Sequence, residues 1–355
     1  MPILVLKSIN RCNADCIYCN ADKKGRLNRL GIDVMTILYN KVNQYLTTNV
    51  NESVEIQWHG GEPLLLGPKF FSEVSHIQDT ICETTKDRIQ HSMQSNLTLL
   101  NQDYLESLTR LGLKSIGTSC EFFSSMRVLK KKTDEDLYNK KFLNGLRLLE
   151  AYPIRIGINY VVTKKTLSDP EMIFYYLTNV NPQGIISFNP VIIRDHSLQH
   201  LDILPEEFNS FIQHLYSLWE KNMYRYASME PFNTLWETGE SLSKNESLNN
   251  HIDLPVMLNP NGEYYHFKRP ETILGNIQND SIEIIRNTLQ EKNDQLLNEI
   301  IPKRKCTDCK LWKWCLGNLN MDSYSQNDTL NDDPKWCEAR KDMVFNFILP
   351  RNCGA

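Results

Sequence analysis

Residues 11–20 read RCNADCIYCN and place Cys12, Cys16 and Cys19 within eight positions. The loop follows residues 3–5, an apolar, β-branched run that predicts the first strand. Three thiolates on one tight loop can ligate three irons of a [4Fe-4S] cluster and leave the fourth iron open to a small ligand. A zinc site would normally need a fourth ligand. The loop therefore indicates iron–sulfur chemistry at the end of the first strand.

The segments that follow alternate between apolar runs typical of strands and apolar spacing typical of helices. Further β-branched runs predict strands, and segments with helical periodicity lie between them. The predicted strands are residues 3–5, 54–58, 89–93, 115–119, 154–162 and 184–190. Alternation of this kind implies parallel βα units with right-handed crossovers, so we predict an α/β fold, a partial (βα)6 TIM-type barrel over residues 1–203. Its chemistry is expected on loops that follow the strands.

The pattern changes after residue 203. An aromatic-rich helix over residues 206–219 leads into a polar, Asn-rich stretch, and we predict a helical linker over residues 204–250. Residues 256–258 and 264–267 flank an Asn261-Gly262 pair, which predicts a β-hairpin. A short hairpin cannot stand alone, so we expect the cysteine-rich tail to staple it within a small domain over residues 251–355.

Composition excludes several classes of protein. The 355 residues carry 39 Lys and Arg against 43 Asp and Glu, a net charge of -4, which argues against a large phosphate-binding face and hence against nucleic acid as a partner. No run of 18 apolar residues and no secretory signal are present, so we expect no membrane association and a cytoplasmic location. Ten cysteines in that reducing compartment indicate metal or redox chemistry.

A second motif, WHGGEPLL, follows the second strand and contains Gly60, Gly61, Glu62 and Pro63. Together with the C-x3-C-x2-C loop, it resembles the radical S-adenosylmethionine (SAM) superfamily. The resemblance implies that the open iron binds SAM, whose reductive cleavage gives a 5'-deoxyadenosyl radical that abstracts a hydrogen atom from the substrate. It also implies that Glu62 and its neighbours bind the methionine amino group of SAM.

Further site residues are looser matches to the same superfamily. Ser95, Asn96 and Ser119 match ribose-binding positions, and Tyr18 matches an aromatic residue near the adenine. The polar residues at strand ends that we expect in the pocket are Asn159 as a cofactor contact and Glu121 and Arg127 as catalytic candidates. Strand parity predicts that Cys120 is a buried apolar side chain rather than a hydrogen donor. A redox role for Cys120 or Cys353 stays open.

The tail carries a second set of cysteines in the pattern C-x2-C-x5-C-x21-C. They are Cys306, Cys309, Cys315 and Cys337. The set resembles the SPASM extension of peptide-modifying radical SAM enzymes such as the anaerobic sulfatase maturases, which typically have seven cysteines. Phe267, Leu319 and the region of His251 stand where the other three belong. The resemblance therefore implies one auxiliary [4Fe-4S] cluster, and two clusters in all; a four-cysteine zinc knuckle is the alternative.

Two hairpin positions refine this expectation. His266 lies beside the lost ligand position at Phe267, and we expect it to face solvent. Lys268 stands where the sulfatase maturases carry an aspartate base, which argues against oxidation of serine or cysteine to formylglycine.

The resemblance predicts an enzyme that modifies a ribosomally synthesised peptide by forming a crosslink such as a cyclophane or thioether, or by oxidation or epimerisation. The alternative is a radical SAM dehydrogenase that acts on a small molecule such as an aminoglycoside intermediate. A non-catalytic iron–sulfur carrier is a third hypothesis, which the open loop and GGEP disfavour. Expected partners are the peptide, an electron donor such as flavodoxin or ferredoxin and, since strand one starts near residue 3, a separate leader-binding protein if the leader does not bind the barrel or tail.

Overall fold

A computed structural model describes residues 1–19, 27–122, 124–130, 135–182, 185–193, 195–244, 254–267, 269, 271–304, 306–315 and 334–352. The chain divides into two compact units, each built from separate stretches of sequence. The first comprises Met1–Thr118, Ser125–Ile156 and Asp253–Asn293, and the second comprises Ser119–Ser124, Gly157–Ile252 and Asp294–Ala355. The domain boundaries drawn from the sequence stay a prediction.

The strands of the structure are β1 (Ile3–Ile9), β2 (Val54–Gly60), β3 (Ile89–Gln94), β4 (Leu113–Ser119), β5 (Arg155–Val162), β6 (Ile185–Pro190), β7 (Ser228–Glu230), β8 (Val256–Leu258), β9 (Glu263–His266) and β10 (Ile273–Asn276). In the first unit, β1 to β4 are parallel neighbours, and β8 pairs with β1 on its other side. The antiparallel β9 and β10 follow β8. In the second unit, β5, β6 and β7 are parallel.

The helices are α1 (Ile32–Thr48), α2 (Pro68–Ile81), α3 (Gln102–Leu111), α4 (Glu135–Leu149), α5 (Pro170–Val180), α6 (Pro205–Glu220), α7 (Phe232–Ser243), α8 (Ile282–Arg304), α9 (Trp312–Cys315), α10 (Pro334–Asp342) and α11 (Leu349–Asn352). Short 3-10 helices and one π-helical segment connect some of them. All six strands expected from the β-branched runs are present and alternate with helices, which confirms the α/β class with parallel strands.

Helix ends follow local chemistry. The Asn101 side chain accepts a hydrogen bond from the Tyr104 N–H at 3.1 Å and so caps α3. Gly112 ends that helix in the left-handed conformation, with φ of +90°. Asp169 caps α5 in the same way through the Met172 N–H, and Pro170 occupies the first turn. These residues determine where α3 and α5 begin and where α3 ends.

A buried histidine joins β2, β3 and α2. Trp58 donates its indole N–H to His91 Nδ1 at 3.2 Å, and His91 Nε2 lies 2.7 Å from Gln78 Oε1. Since Nδ1 accepts, the neutral ring carries its hydrogen on Nε2 and donates it to Gln78. Burial lowers the pKa of His91 to about 3. The ring is therefore a neutral structural link between two strands and their covering helix.

The hairpin has a support that the sequence did not indicate. β8 pairs in parallel with β1, with Leu4 opposite Val256 and Leu6 opposite Leu258. The hairpin thus extends the sheet of the first unit, and its hydrogen bonds to β1 provide the support that a two-stranded ribbon lacks. The sequence also missed β7, which is three residues long, inside the predicted linker.

The expectation that His266 faces solvent was wrong. Its side chain is fully buried, and Nε2 lies 2.8 Å from Asn293 Oδ1 on α8. The Arg269 N–H donates to Nδ1 at 3.1 Å. α8 covers this face of the hairpin. The alternation of residues within the hairpin cannot indicate a helix that follows later in the chain.

Other buried positions agree with the sequence. Cys82 and Cys120 are almost completely buried, as expected for apolar thiols. In the described part of the chain, no helix is long and apolar enough to cross a membrane.

We expect the His91 link to make the protein sensitive to acid. His91 stays neutral in the folded state down to a pH near its pKa of about 3, whereas the unfolded chain protonates it near 6.5. Stability is therefore lost as the pH falls below 6.5, by about 2 kcal/mol at pH of about 5. Denaturant unfolding of wild type and His91→Gln across this range measures the difference. Parallel stability curves for the two proteins would contradict it.

Candidate functional site

The loop that carries the first three cysteines is tied along its length to residues 126–130. Asp15 N–H donates to the Val128 carbonyl at 2.8 Å, and Ile17 N–H donates to the Met126 carbonyl at 3.0 Å. Lys130 N–H donates to the Asn13 carbonyl at 2.7 Å. The loop therefore has a defined backbone path although it is neither helix nor strand. Cys12 and Cys16 are half-buried on it, and Cys19 is exposed.

The two glycines of GGEP let another backbone approach closely. Gly61 N–H donates to the Ile9 carbonyl at 2.7 Å, and Glu62 N–H donates to the Arg11 carbonyl at 2.8 Å. A Cβ atom on Gly61 would lie 2.0 Å from the Arg11 oxygen, and Gly60 has a φ of +123°. No other residue fits these positions without moving the cysteine loop. Pro63 then starts a short 3-10 helix.

Glu62 is the buried hub of the site. Its Oε1 accepts hydrogen bonds from Ser95 Oγ at 2.8 Å and from the Leu64 N–H at 3.1 Å. Its Oε2 accepts from the Asn96 N–H at 2.8 Å. Burial raises the pKa of the carboxyl to about 7, and the three donors oppose that shift. The carboxylate thus joins the GGEP turn to the end of β3.

Asn96 in turn reaches the cysteine loop. Its Nδ2 donates to Asn13 Oδ1 at 2.9 Å and lies 3.7 Å from Cys12 Sγ, and its Oδ1 accepts from Thr98 Oγ1 at 2.7 Å. Asn13 Nδ2 donates to Thr98 Oγ1 at 2.8 Å. The sequence prediction included Asn96 and missed Asn13 and Thr98. The available signal was the position of Asn13 between two cysteines.

Tyr18 and Arg127 are also brought together. The Arg127 guanidinium donates to the Tyr18 hydroxyl, and its carbon lies 5.5 Å from the centre of the Tyr18 ring. It also donates to the Tyr138 hydroxyl at 3.0 Å. Arg127 is buried. It therefore holds the aromatic ring in place beside Cys19 through charge and stacking.

The remaining barrel candidates lie in the second unit. Glu121 is buried, and its Oε1 accepts the Val161 N–H at 3.0 Å, so this carboxylate caps the end of β5. The Asn159 carbonyl accepts from the Cys120 N–H at 3.1 Å, and the Asn189 amide donates to the Asn159 side chain. Ser119 is half-buried at the end of β4. The Glu121 carboxylate is therefore buried and bound to backbone.

The four tail cysteines meet around one pocket in the second unit. Its lining also includes Leu311, Trp312, Arg340 and Lys341. Cys309 N–H donates to the Cys306 carbonyl at 3.0 Å, and Cys315 N–H donates to the Leu311 carbonyl at 2.7 Å, so tight turns position three of the thiols. In the described ranges, no three Cys, His, Asp or Glu side chains are grouped to hold a single metal ion. The thiols surround a pocket rather than one point.

Several predicted positions fall outside the described residues. They are His251, Lys268, Leu319 and Cys353. The described tryptophans differ in their surroundings: Trp312 lines the pocket of the tail cysteines, whereas Trp336 is buried against Phe208.

The thiols suit iron–sulfur ligation. Cys12 Sγ accepts the Ala14 N–H at 3.4 Å in addition to the Asn96 amide, and donors of this kind orient a metal-binding sulfur. Three thiols on the first loop and four around the tail pocket are donor sets that fit iron–sulfur clusters.

A model of the Radical SAM superfamily matches residues 6–175, which include the cysteine loop, GGEP and Asn96. The chain belongs to the radical SAM superfamily. An uncharacterized protein of Methanocaldococcus jannaschii is 31% identical over 230 residues, which is 63% of this chain and 76% of that protein.

Two sulfatase-maturating enzymes align with most of this chain. A cysteine-type anaerobic sulfatase-maturating enzyme of Clostridium perfringens is 22% identical, covering 99% of this chain and 97% of the relative. A serine-type enzyme of Bacteroides thetaiotaomicron is 21% identical over 89% and 81% of the two chains. The solved structure of native anSMEcpe with bound AdoMet matches with a TM-score of 0.77 and 19% identity, covering 99% and 98%. The fold of this chain is therefore that of a sulfatase-maturase-like radical SAM protein.

We expect Glu62→Ala to lower both stability and SAM affinity. The substitution leaves three buried donors without an acceptor, which costs about 3 kcal/mol of unfolding free energy. Denaturant unfolding and equilibrium SAM binding measure the two effects. Glu52→Ala is the matched control, because Glu52 is a partly exposed residue paired with the N-terminus and should change stability by less than about 0.5 kcal/mol. Equal effects of the two substitutions would exclude a central role for Glu62.

Proposed function

We propose that this radical SAM enzyme modifies residues of a ribosomally synthesised peptide. The observation that carries the proposal is the match along both full lengths to a cysteine-type anaerobic sulfatase-maturating enzyme, tail included. A neighbouring structure, native anSMEcpe with bound AdoMet and Cp18Cys peptide, has a TM-score of 0.76. A fold of that kind supports a peptide substrate for this chain.

The site residues divide the work of holding SAM and its cluster. Cys12, Cys16 and Cys19 would ligate the cluster, and Gly60, Gly61, Glu62 and Pro63 would hold the methionine part of SAM. The proposed contacts to the nucleoside part are Tyr18, Ser95, Asn96, Ser119 and Asn159. When bound, SAM and the cluster supply a carbon radical that can abstract hydrogen from an unactivated carbon.

The protein groups around them work by positioning. Glu62 is already bound to Ser95, Asn96 and Leu64, so its side chain keeps the GGEP turn and the end of β3 in register. Arg127 holds the Tyr18 ring, and Glu121 holds the start of the loop after β4 against β5. When the reacting groups are held rigidly, one hydrogen atom of the substrate is placed for abstraction in preference to the hydrogen atoms beside it.

The tail pocket supports a SPASM-like role. Cys306, Cys309, Cys315 and Cys337 would hold an auxiliary [4Fe-4S] cluster with full cysteine ligation. A closed cluster cannot bind substrate without losing a ligand, so we propose that it transfers an electron and stabilises the tail. An external donor such as flavodoxin or ferredoxin would supply electrons, and a leader peptide would bind the surface or a separate protein.

The reaction that we propose is a crosslink such as a cyclophane or thioether, an oxidation or an epimerisation. Anaerobic, reconstituted enzyme with SAM, a reductant and a precursor peptide encoded beside its gene tests this by mass spectrometry. Loss of about two hydrogens would indicate crosslinking or oxidation. An unchanged mass in light water, together with a gain of about one mass unit when the reaction is run in heavy water, would indicate epimerisation. SAM cleavage with an unmodified peptide, and with conversion of an aminoglycoside intermediate instead, would overturn the peptide assignment.

We expect Cys16→Ala to abolish 5'-deoxyadenosine formation, because two thiolates of the first loop cannot hold the cluster. Chromatography measures the nucleoside. The matched control is Cys82→Ala, since Cys82 is a buried cysteine that follows α2, belongs to neither set and donates its thiol to the Tyr39 carbonyl at 3.6 Å, so its loss should leave cleavage intact.

Metal content gives a second, independent expectation. The two sets of thiolates should carry about eight irons per chain, about four in each cluster. Replacement of Cys12, Cys16 and Cys19 together should leave about four irons and a spectrum that does not respond to SAM. Zinc in that variant would favour the knuckle alternative, and about twelve irons in the intact chain would mean that other residues complete a third site.

A further inference from the structure

Three polar side chains form a row at the carboxyl ends of neighbouring parallel strands. Lys7 of β1 lies opposite His59 of β2 in the strand register. Gln57 of β2 lies opposite Ser92 of β3, so two residues further along His59 and Gln94 are neighbours as well. The row of Lys7, His59 and Gln94 is therefore continuous across three strands of the first unit.

The row lies on the sheet face that the helices leave uncovered. Residues adjacent to it, Leu6, Trp58 and Met93, are buried on the opposite face, and Trp58 packs against Phe71 of α2. Side chains alternate between the two faces of a strand. Consistent with this, Lys7 and His59 are exposed and Gln94 is half-buried.

His59 presents a hydrogen-bond donor from this face. Its Nδ1 accepts the N–H of Gly60 at 2.7 Å, so the neutral ring carries its hydrogen on Nε2. Desolvation by the surrounding protein and the charge of the nearby Lys7 ammonium lower the pKa of His59, and the ring is therefore neutral at physiological pH. The imidazole is thus oriented by the first glycine of GGEP and offers Nε2–H.

None of the three groups is used by the fold. Within the described part of the chain, the side chains of Lys7 and Gln94 have no hydrogen-bond or ion-pair partner, and the His59 ring has one contact, to the Gly60 N–H through Nδ1. Gln94 lies over Gly117, where a Cβ atom would be 2.3 Å from Gln94 Oε1, so the glycine makes room for this amide.

The carboxylate on the same face lies deeper and is engaged. Glu55 is four residues before His59 on β2, and its Oε1 accepts from Ser92 Oγ at 2.6 Å. The outer row therefore offers an ammonium, an imidazole N–H and an amide N–H, and the Glu55 carboxylate on the same face is already bonded to Ser92. An anion with two oxygen acceptors matches this set of donors.

We propose that Lys7, His59 and Gln94 bind a carboxylate group of the substrate. The inference rests on the proposed function, since it makes the row the recognition element of a peptide that carries an acidic side chain or a free C-terminus. The row then decides which residue of the peptide comes to rest near the cysteine loop. SAM also carries a carboxylate, so the test must separate the two sources.

The test uses cluster-loaded protein saturated with SAM and a small probe, N-acetyl-glutamate α-amide, followed by ligand-observed NMR titration. The glutamine counterpart of the probe has the same shape without the charge. We expect the glutamate probe to bind and the glutamine probe to bind at least about tenfold more weakly, because a charge-assisted hydrogen bond is lost. Lys7→Met and His59→Gln should each weaken the glutamate probe about tenfold.

Lys114→Met is the matched control. Lys114 is an exposed lysine at the amino end of β4, whereas the row lies at the carboxyl ends of its strands. The substitution should leave binding of the probe unchanged. Equal probe binding by wild type and Lys7→Met, or no binding by wild type, would overturn the proposal. So would a loss of SAM affinity in Lys7→Met as large as the loss for the probe, because the carboxylate would then be that of SAM. Peptide modification by mass spectrometry is a separate measurement, so the proposed function and this inference can fail independently.

Discussion

The site depends on one buried carboxylate. The Glu62 carboxylate accepts hydrogen bonds from its own turn and from Ser95 and Asn96, which follow β3. The backbone N–H groups of Gly61 and Glu62 also bond this turn to Ile9 and Arg11, which lead into the cysteine loop. Burial of a charge is costly unless several donors point at it. Burial raises the pKa of Glu62 and the three donors oppose that shift, so the loss of any one donor would favour the protonated carboxyl.

Local signals in the sequence accounted for the alternating strands and helices. Hydrophobic period, caps and glycines act over a few residues, so the positions of β1 to β6 and the end of α3 at Gly112 were predictable. The motif spacing also placed the cysteines and GGEP. What escaped were contacts between residues that are distant in sequence.

Asn13 illustrates the limit. It lies 83 residues from Asn96, with which it shares a hydrogen bond, and no periodicity links the two. His266 failed for the same reason, since Asn293 on α8 covers it. The carboxylate-binding row escaped too, because Lys7 and His59 are unremarkable until the parallel register sets them side by side. Tertiary pairing, not residue type, gives these side chains their roles.

The pairing of β8 with β1 has a consequence for the order in which the chain is made. β1 (Ile3–Ile9) is synthesised well before β8 (Val256–Leu258), which is one of its two neighbours in the sheet. Until then, one edge of β1 has unpaired backbone groups that could join another chain. A truncated protein that stops before Val256 would keep that edge open permanently. The hairpin therefore supplies the backbone partners for an edge of β1 that is open while β2, β3 and β4 are synthesised.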